Sequence, residues 1–268
     1  MMKRHDKIRT HKIFSRKKRM YVSATIFILA FIYIAALFST PFDVNSSSVS
    51  TLETLRRLFI EPLLNTDNYD KYPEYIGYML ETIAIAYAGI FVATILAVPV
   101  GFLAARNVGG RFSYLGKALL NAIRAIPELI FAIIFVAAVG IGPYAGVLAI
   151  SINSIGMLGK LYAEVIESID SENVDAIKAS GGNRVQSMWY GILPQVLPEF
   201  VSYSLYRFEI DVRASTVLGI VGAGGIGAPL ILATYQRNWD EVGMILVVVV
   251  VFVSLIDILS GKIRKRLI

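Results

Sequence analysis

The sequence contains no cysteine and only two histidines, His5 and His11, both near its N-terminal end. Missing thiols exclude disulfides, thiolate metal sites and cysteine nucleophiles, and leave the redox compartment open. Histidines confined to the first residues leave no imidazole for acid–base or metal chemistry elsewhere, so no metal site and no cofactor is expected. Charge is scarce as well: Asp, Glu, Lys and Arg make up 17% of the 268 residues, against about 25% in an average soluble domain. The phosphate-binding loop G-x-x-x-x-G-K-[ST] is missing too, because Gly159-Lys160 lacks the upstream glycine and the following hydroxyl residue. The chain therefore does not bind ATP through such a loop. What is present in excess is apolar residues, 56% of the chain with a mean hydropathy of +0.62. That excludes a disordered chain and argues against a soluble enzyme.

A membrane-spanning helix needs about 20 mostly apolar residues. Six segments qualify: Met20–Phe38, and then roughly 78–105, 119–139, 144–163, 199–221 and 242–259. The expected fold class is thus all-α, a polytopic membrane protein with six transmembrane helices. A basic stretch before an apolar run also describes a secretory signal, but Met20–Phe38 exceeds an h-region and no small-x-small site follows. It is read as a retained anchor. Charge placement gives an independent test. Residues 1–19 carry nine Lys/Arg against one acid, which puts the N-terminus in the cytoplasm. Alternation then leaves eighteen Lys/Arg on inside segments and four outside, an N-in/C-in arrangement. The net charge of +6 reads as topology and contact with anionic lipid, so no nucleic acid is needed to explain it.

The expected organisation is a cytoplasmic tail (1–19), an anchor (20–38), an external segment (39–77) and a five-helix core (78–268). In the external segment, Leu52, Leu55, Leu58, Phe59 and Leu63 recur at helical spacing among Glu53, Arg56, Arg57 and Glu61. This is an amphipathic helix that rests on the outer leaflet or meets a partner. Gly222-Ala-Gly224-Gly225-Ile-Gly227 matches the dinucleotide pattern G-x-G-x-x-G, but no βαβ series surrounds it. The glycines are read instead as backbone that ends a span flexibly or lets a helix pass closely.

The most informative inside segment is 164–198. Ser171 or Asn173 can cap a short polar helix, Gly181-Gly182 ends it, and Pro194 opens the next span. This segment resembles the EAA loop of ABC-importer permeases, E-A-A-x-x-x-G, nine residues, then I-x-L-P. Asp175 takes the acid position, Ala176 the first alanine, Gly181 the glycine and Leu193-Pro194 the closing pair. Ile177 stands where a second alanine is expected, and Gly191 where isoleucine is expected. The resemblance implies a type I importer fold and a coupling helix at about 172–187 that docks on a cytoplasmic ATPase. Asp175, Ala176, Ala179, Gly181, Gly182, Leu193 and Pro194 are the residues it assigns to ATPase coupling.

A closer resemblance covers most of residues 75–268. Arg124-Ala-Ile-Pro-Glu-Leu-Ile130, Gly140-Ile-Gly-Pro143, Ser154-Ile-Gly-Met-Leu-Gly-Lys160 and Asp211-Val-Arg-Ala-Ser-Thr-Val-Leu-Gly219 occur in order. They are similar to the permease of phosphonate importers. That implies a homodimer, two ATPase subunits inside, a solute-binding protein outside, a bacterial inner-membrane location, and a phosphonate or a related phosphorus oxyanion, phosphite or phosphate, as cargo.

Ionisable groups at membrane depth are costly and need partners. Arg207–Asp211 and Glu209–Arg213 are i,i+4 pairs on nearly opposite faces of the fifth span, and Arg124 and Glu128 repeat that spacing around Pro127. These six residues are the candidates for the translocation path. Two readings stay open, that one pair lines the path or that both hold the bundle together. Rival functions are an ion-coupled secondary transporter, against which no internal repeat is visible, and an intramembrane hydrolase. The hydrolase would need a Ser154–Lys160 dyad that nothing in the sequence supports.

Overall fold

The computed structural model describes residues 16–39, 51–64 and 66–267. The expected basic tail through residue 15, the stretch 40–50 and the side chain of Leu52 lie outside the described residues. Two units are distinguished, residues 1–50 and 51–268. Within the first, α1 (Arg16–Ser39) covers the expected anchor, and its segment Met20–Ala36 is apolar on every face.

The second unit is helical almost throughout, with no strand among the described residues. In chain order it holds α2 (Thr51–Phe59), α3 (Glu61–Leu64), α4 (Tyr72–Ala104), α5 (Arg106–Gly109) and α6 (Ser113–Ala125). These are followed by α7 (Glu128–Val139), α8 (Pro143–Ser168), α9 (Ser171–Ala179) and α10 (Arg184–Gln186). The chain closes with α11 (Leu193–Leu218), α12 (Gly227–Tyr235) and α13 (Trp239–Leu267). By length and composition α4, α8 and α13 can each cross a membrane, and α6 with α7 makes a fourth crossing if taken as one broken span. Five charged residues, Glu199, Arg207, Glu209, Asp211 and Arg213, keep α11 out of that class, although it covers most of the expected fifth segment.

The third expected segment is not one helix. It divides at Ile126-Pro127, and its two halves are bent by 83°. Proline disfavours helical backbone at the residue before it, and Ile126 is extended (φ −96°, ψ 122°). The bend that this creates positions the first residue of α7, Glu128, against its neighbours.

The core is built on α4 and α8, which lie side by side along a seam of small residues. A Cβ at Gly89 would sit 2.6 Å from Ile150 Cγ2, and one at Gly101 would sit 2.9 Å from Tyr162 Cβ. Ala93, Ala97 and Ala104 continue the seam on α4, with Leu158, Tyr162 and Ala163 of α8 in the same buried cluster. Small residues let two backbones approach closely, the favoured way to join helices where lipid removes the hydrophobic drive. The outer surface is apolar in turn: Phe91, Ile95, Ile133, Ile134, Val250 and Leu255 are all exposed.

The glycine-rich segment 219–227 packs against the N-terminal parts of α4 and α8. Gly222, Gly224 and Gly225 have φ of 88°, 84° and 77°, conformations that favour glycine. The Gly225 and Ile226 amides donate to Glu81 Oε1 (3.1 Å) and Thr82 Oγ1 (2.8 Å) of α4. Both readings of these glycines, turning backbone and close passage, describe the segment. The amphipathic segment is also helical. It packs on α13, where a Cβ at Gly243 would lie 2.5 Å from the Leu58 carbonyl oxygen, while Leu55, Phe59 and Leu63 stay exposed.

Candidate functional site

Near the middle of α8 and α11 lies a polar cluster that three helices, α7, α8 and α11, assemble. Arg207 of α11 is 5% exposed and sits between two carboxylates, Asp211 Oδ1 at 2.9 Å and Glu128 Oε2 at 3.3 Å. Its Nε donates to Ser154 Oγ (3.0 Å), which donates to Asp211 Oδ2 (2.7 Å). Asn153 Nδ2 donates to Glu128 Oε2 (2.7 Å). Glu128 occupies the first turn of α7, where the helix dipole favours a negative charge. One guanidinium thus ties the broken α7 to α8 and α11. A second relay binds the core further along: the Tyr162 hydroxyl lies 2.6 Å from Ser204 Oγ, which accepts from Thr94 Oγ1 (3.3 Å). The Tyr162 ring stacks on Phe200 with centroids 3.9 Å apart.

The structure re-pairs three of the expected partners. Arg207–Asp211 forms as expected. Glu209 does not pair with Arg213; it accepts from Arg264 of α13 at 2.7 Å, whose guanidinium also lies 5.5 Å from the Tyr206 ring. Arg213 bonds instead to the Glu209 carbonyl (3.3 Å) and lies 3.9 Å from Asp257, with both side chains about half exposed. The Arg124–Glu128 spacing fails because the helix breaks between them. Glu128 turns to Arg207, while Arg124 is exposed and has no hydrogen-bond or ion-pair partner among the described residues. Its stem runs past Gly156 of α8, where an added Cβ would meet Arg124 Cγ at 3.1 Å. Asn153 and Ser154 were visible in the sequence as polar residues inside an apolar span, but their partners were not.

At the opposite end of α8 the loop 169–192 is built from local rules. Asp170, and neither Ser171 nor Asn173, caps α9: its Oδ1 accepts from the Glu172 amide at 3.0 Å. Gly181 ends the helix with φ of 82°, and the Gly182 amide returns to the Ile177 carbonyl at 2.9 Å. Asn183 and Gln186 then form a reciprocal capping box. A π-helical turn, Ser187–Ile192, leads into α11, with Pro194 in its first turn. Val174 and Ile177 face this turn, leaving Asp175, Ala176, Ala179 and Gly181 exposed. The two departures from the EAA pattern touch each other. A Cβ at Gly191 would lie 3.2 Å from Ile177 Cδ1, so the larger residue at 177 fills the space that the smaller one at 191 leaves.

The loop is anchored through Glu167, which accepts from Lys117 Nζ and from the Arg106 amide, both at 2.8 Å. Burial raises the Glu167 pKa, but Lys117 and the Arg106 amide outweigh it and hold the carboxyl below its ordinary value. A depressed carboxylate stabilises the fold above its unfolded pKa and loses that contribution as pH falls through the folded value. Thermal unfolding of the purified chain should therefore show a stability loss at acid pH that Lys117→Met reduces. An unchanged acid profile in that variant would contradict the assignment.

Three comparisons bear on this architecture. Residues 97–268 match the family described as binding-protein-dependent transport system inner membrane component. The chain belongs to this family. It is therefore a transport permease component and a multi-pass membrane protein. It is 43% identical over 201 residues to a phosphite transport system permease of Stutzerimonas stutzeri, PtxC, covering 74% of this chain and 73% of that one. It is also 43% identical over 190 residues to the phosphate-import permease PhnE of Mycolicibacterium smegmatis, covering 70% of this chain and 36% of the relative. A putative cryptic phosphonate permease of Escherichia coli, PhnE2, is 46% identical over 121 residues, 45% of this chain and 99% of the relative. Among solved structures, a chain of the MetNI methionine ABC transporter in an inward-facing form aligns with a TM-score of 0.66 at 22% identity. That alignment covers 76% of the permease and all of the matched chain, and it establishes the shared importer-permease fold.

Proposed function

We propose that this permease is the membrane subunit of an ATP-driven importer that moves a phosphorus oxyanion, phosphite, phosphonate or phosphate, into the cell. The observation that carries the reading is the set of relatives named for those three anions, each above 40% identity. In this reading the chain crosses the membrane six times with both termini inside, and two copies form the path. ATPase subunits dock on the exposed side of α9, at Asp175, Ala176, Ala179 and the Gly181-Gly182 turn. Leu193-Pro194 carries the motion into α11. A solute-binding protein delivers the anion outside.

Within the membrane we assign different roles to the six charged candidates. Glu128, Arg207 and Asp211 hold the bundle, because their charges are spent on each other. Glu209 is likewise taken by Arg264. Arg124 meets the anion, since an unpaired guanidinium at membrane depth needs an anionic or aqueous neighbour. Arg213, with only a distant acid, assists it. The test is uptake of labelled phosphite, methylphosphonate and phosphate by cells lacking the chain and complemented with wild type or Arg124→Gln. The expected result is restored uptake of at least one anion by wild type, and a drop of about tenfold or more in the variant at equal membrane level. No restored uptake of any of the three would overturn the substrate assignment, and wild-type uptake in the variant would remove Arg124 from the path.

A further inference from the structure

A cavity of about 780 Å³ opens between the 106–112 segment and the loop 171–192. Its wall includes Arg111 from the first element and Lys178 and Arg184 from the second, and it includes no Asp or Glu. Lys178 is partly engaged by Asp175 at 3.0 Å. Arg111 lies 5.1 Å over the ring of Phe112, which also lines the cavity. Neither Arg111 nor Arg184 has an acid within ion-pair distance among the described residues. The wall also contains Ser187, a residue only 4% exposed, whose hydroxyl has no hydrogen-bond partner in the described structure. A buried hydroxyl without a partner is costly, and such groups commonly mark a missing ligand or water.

The geometry points to a second anion site here, separate from the membrane path, for a phosphate-type group. Guanidinium forks suit phosphate oxygens, and the ammonium and hydroxyl supply further donors. Two sources share this chemistry. One is the headgroup of an anionic phospholipid, held at the basic cytoplasmic rim where such pockets recognise lipid. The other is a free phosphorus oxyanion in the cytoplasm, a source that rests on the import reading above. Either would bridge the 106–112 segment to the loop that carries α9, and would fix that loop relative to the end of α8. Occupancy would then set how firmly the loop is presented to its partner. An acidic segment of a partner protein is the competing occupant.

Binding, not transport, is the readout, so failure here is distinguishable from failure of the import reading. The chain with its ATPase is placed in nanodiscs of phosphatidylcholine, with or without phosphatidylglycerol. Equilibrium dialysis with labelled inorganic phosphate tests the free-anion source, and native mass spectrometry for retained phosphatidylglycerol tests the lipid source. One of the two probes is expected to bind wild type saturably and to bind Arg111→Gln/Arg184→Gln at least about tenfold more weakly. Ser187→Ala should weaken the same probe by a smaller factor. Monodispersity and unfolding temperature verify folding, and Arg184→Gln alone carries the comparison if the double variant is unstable. Equal binding of both probes by wild type and variants overturns the site. So does a cysteine at 184 that crosslinks to the ATPase while neither probe binds.

Discussion

Replacing Arg207 with glutamine is expected to be the most damaging single change in the bundle. Two carboxylates, Asp211 and Glu128, would then share a buried site with no cation within reach. Breaking a buried pair by removing one partner costs about 3–5 kcal/mol, because the remaining charge stays uncompensated. Membrane-inserted protein should fall and the unfolding midpoint in detergent should drop sharply. The cost comes from the orphaned acids, so Glu128→Gln/Asp211→Asn added to Arg207→Gln should recover most of the lost stability. By contrast Arg213→Gln, whose partner Asp257 lies 3.9 Å away in a half-exposed pair, should stay near wild type in stability. Equal losses from both arginine variants would refute the division between a structural cluster and a path.

The second large effect is expected in the loop. Gly191→Ile places a branched side chain where Ile177 Cδ1 and the Val174 backbone already stand, 3.2 and 3.3 Å from the new Cβ. Overpacking of this kind costs about 1–3 kcal/mol. Here it should push α9 away from the π-helical turn that supports it. Association with the ATPase should fall severalfold while the membrane bundle keeps its unfolding midpoint. Ile177→Ala in the same chain vacates the space and also restores the EAA pattern at both positions, so association should return. Shortening residues 172–184 should abolish association altogether. A double variant no better than Gly191→Ile would mean that the two departures are independent.

How much of this was legible from residues alone depended on whether a feature is local. Apolar length located helical backbone over the expected segments, though the third is broken in two and the fifth is too charged to pass as a span. Glycines 181 and 182 marked the end of α9 because a helix terminus is a local event. The EAA spacing located the loop for the same reason. Pro127 stands inside the third expected segment, and a proline removes a helix hydrogen bond, but the 83° size of the break was not legible because it involves the packing of α7 on α8. Charge partners were the least legible. Sequence offers i,i+4 neighbours only, so Glu209 was assigned to Arg213 while tertiary packing brought it Arg264, 55 residues away. Arg124 likewise lost its expected partner once the backbone turned. Capping failed by one residue, since Asp170, Ser171 and Asn173 are all competent and only backbone geometry selects among them.

We propose that this permease couples ATP hydrolysis on a partner to inward movement of a phosphorus oxyanion. The most direct test is uptake into proteoliposomes holding the purified chain and its ATPase, with the solute-binding protein outside and ATP within. Labelled phosphite, methylphosphonate or phosphate should accumulate in a way that requires ATP and the binding protein and is lost on shortening residues 172–184. Accumulation that proceeds without ATP, driven by an ion gradient instead, would contradict the proposal.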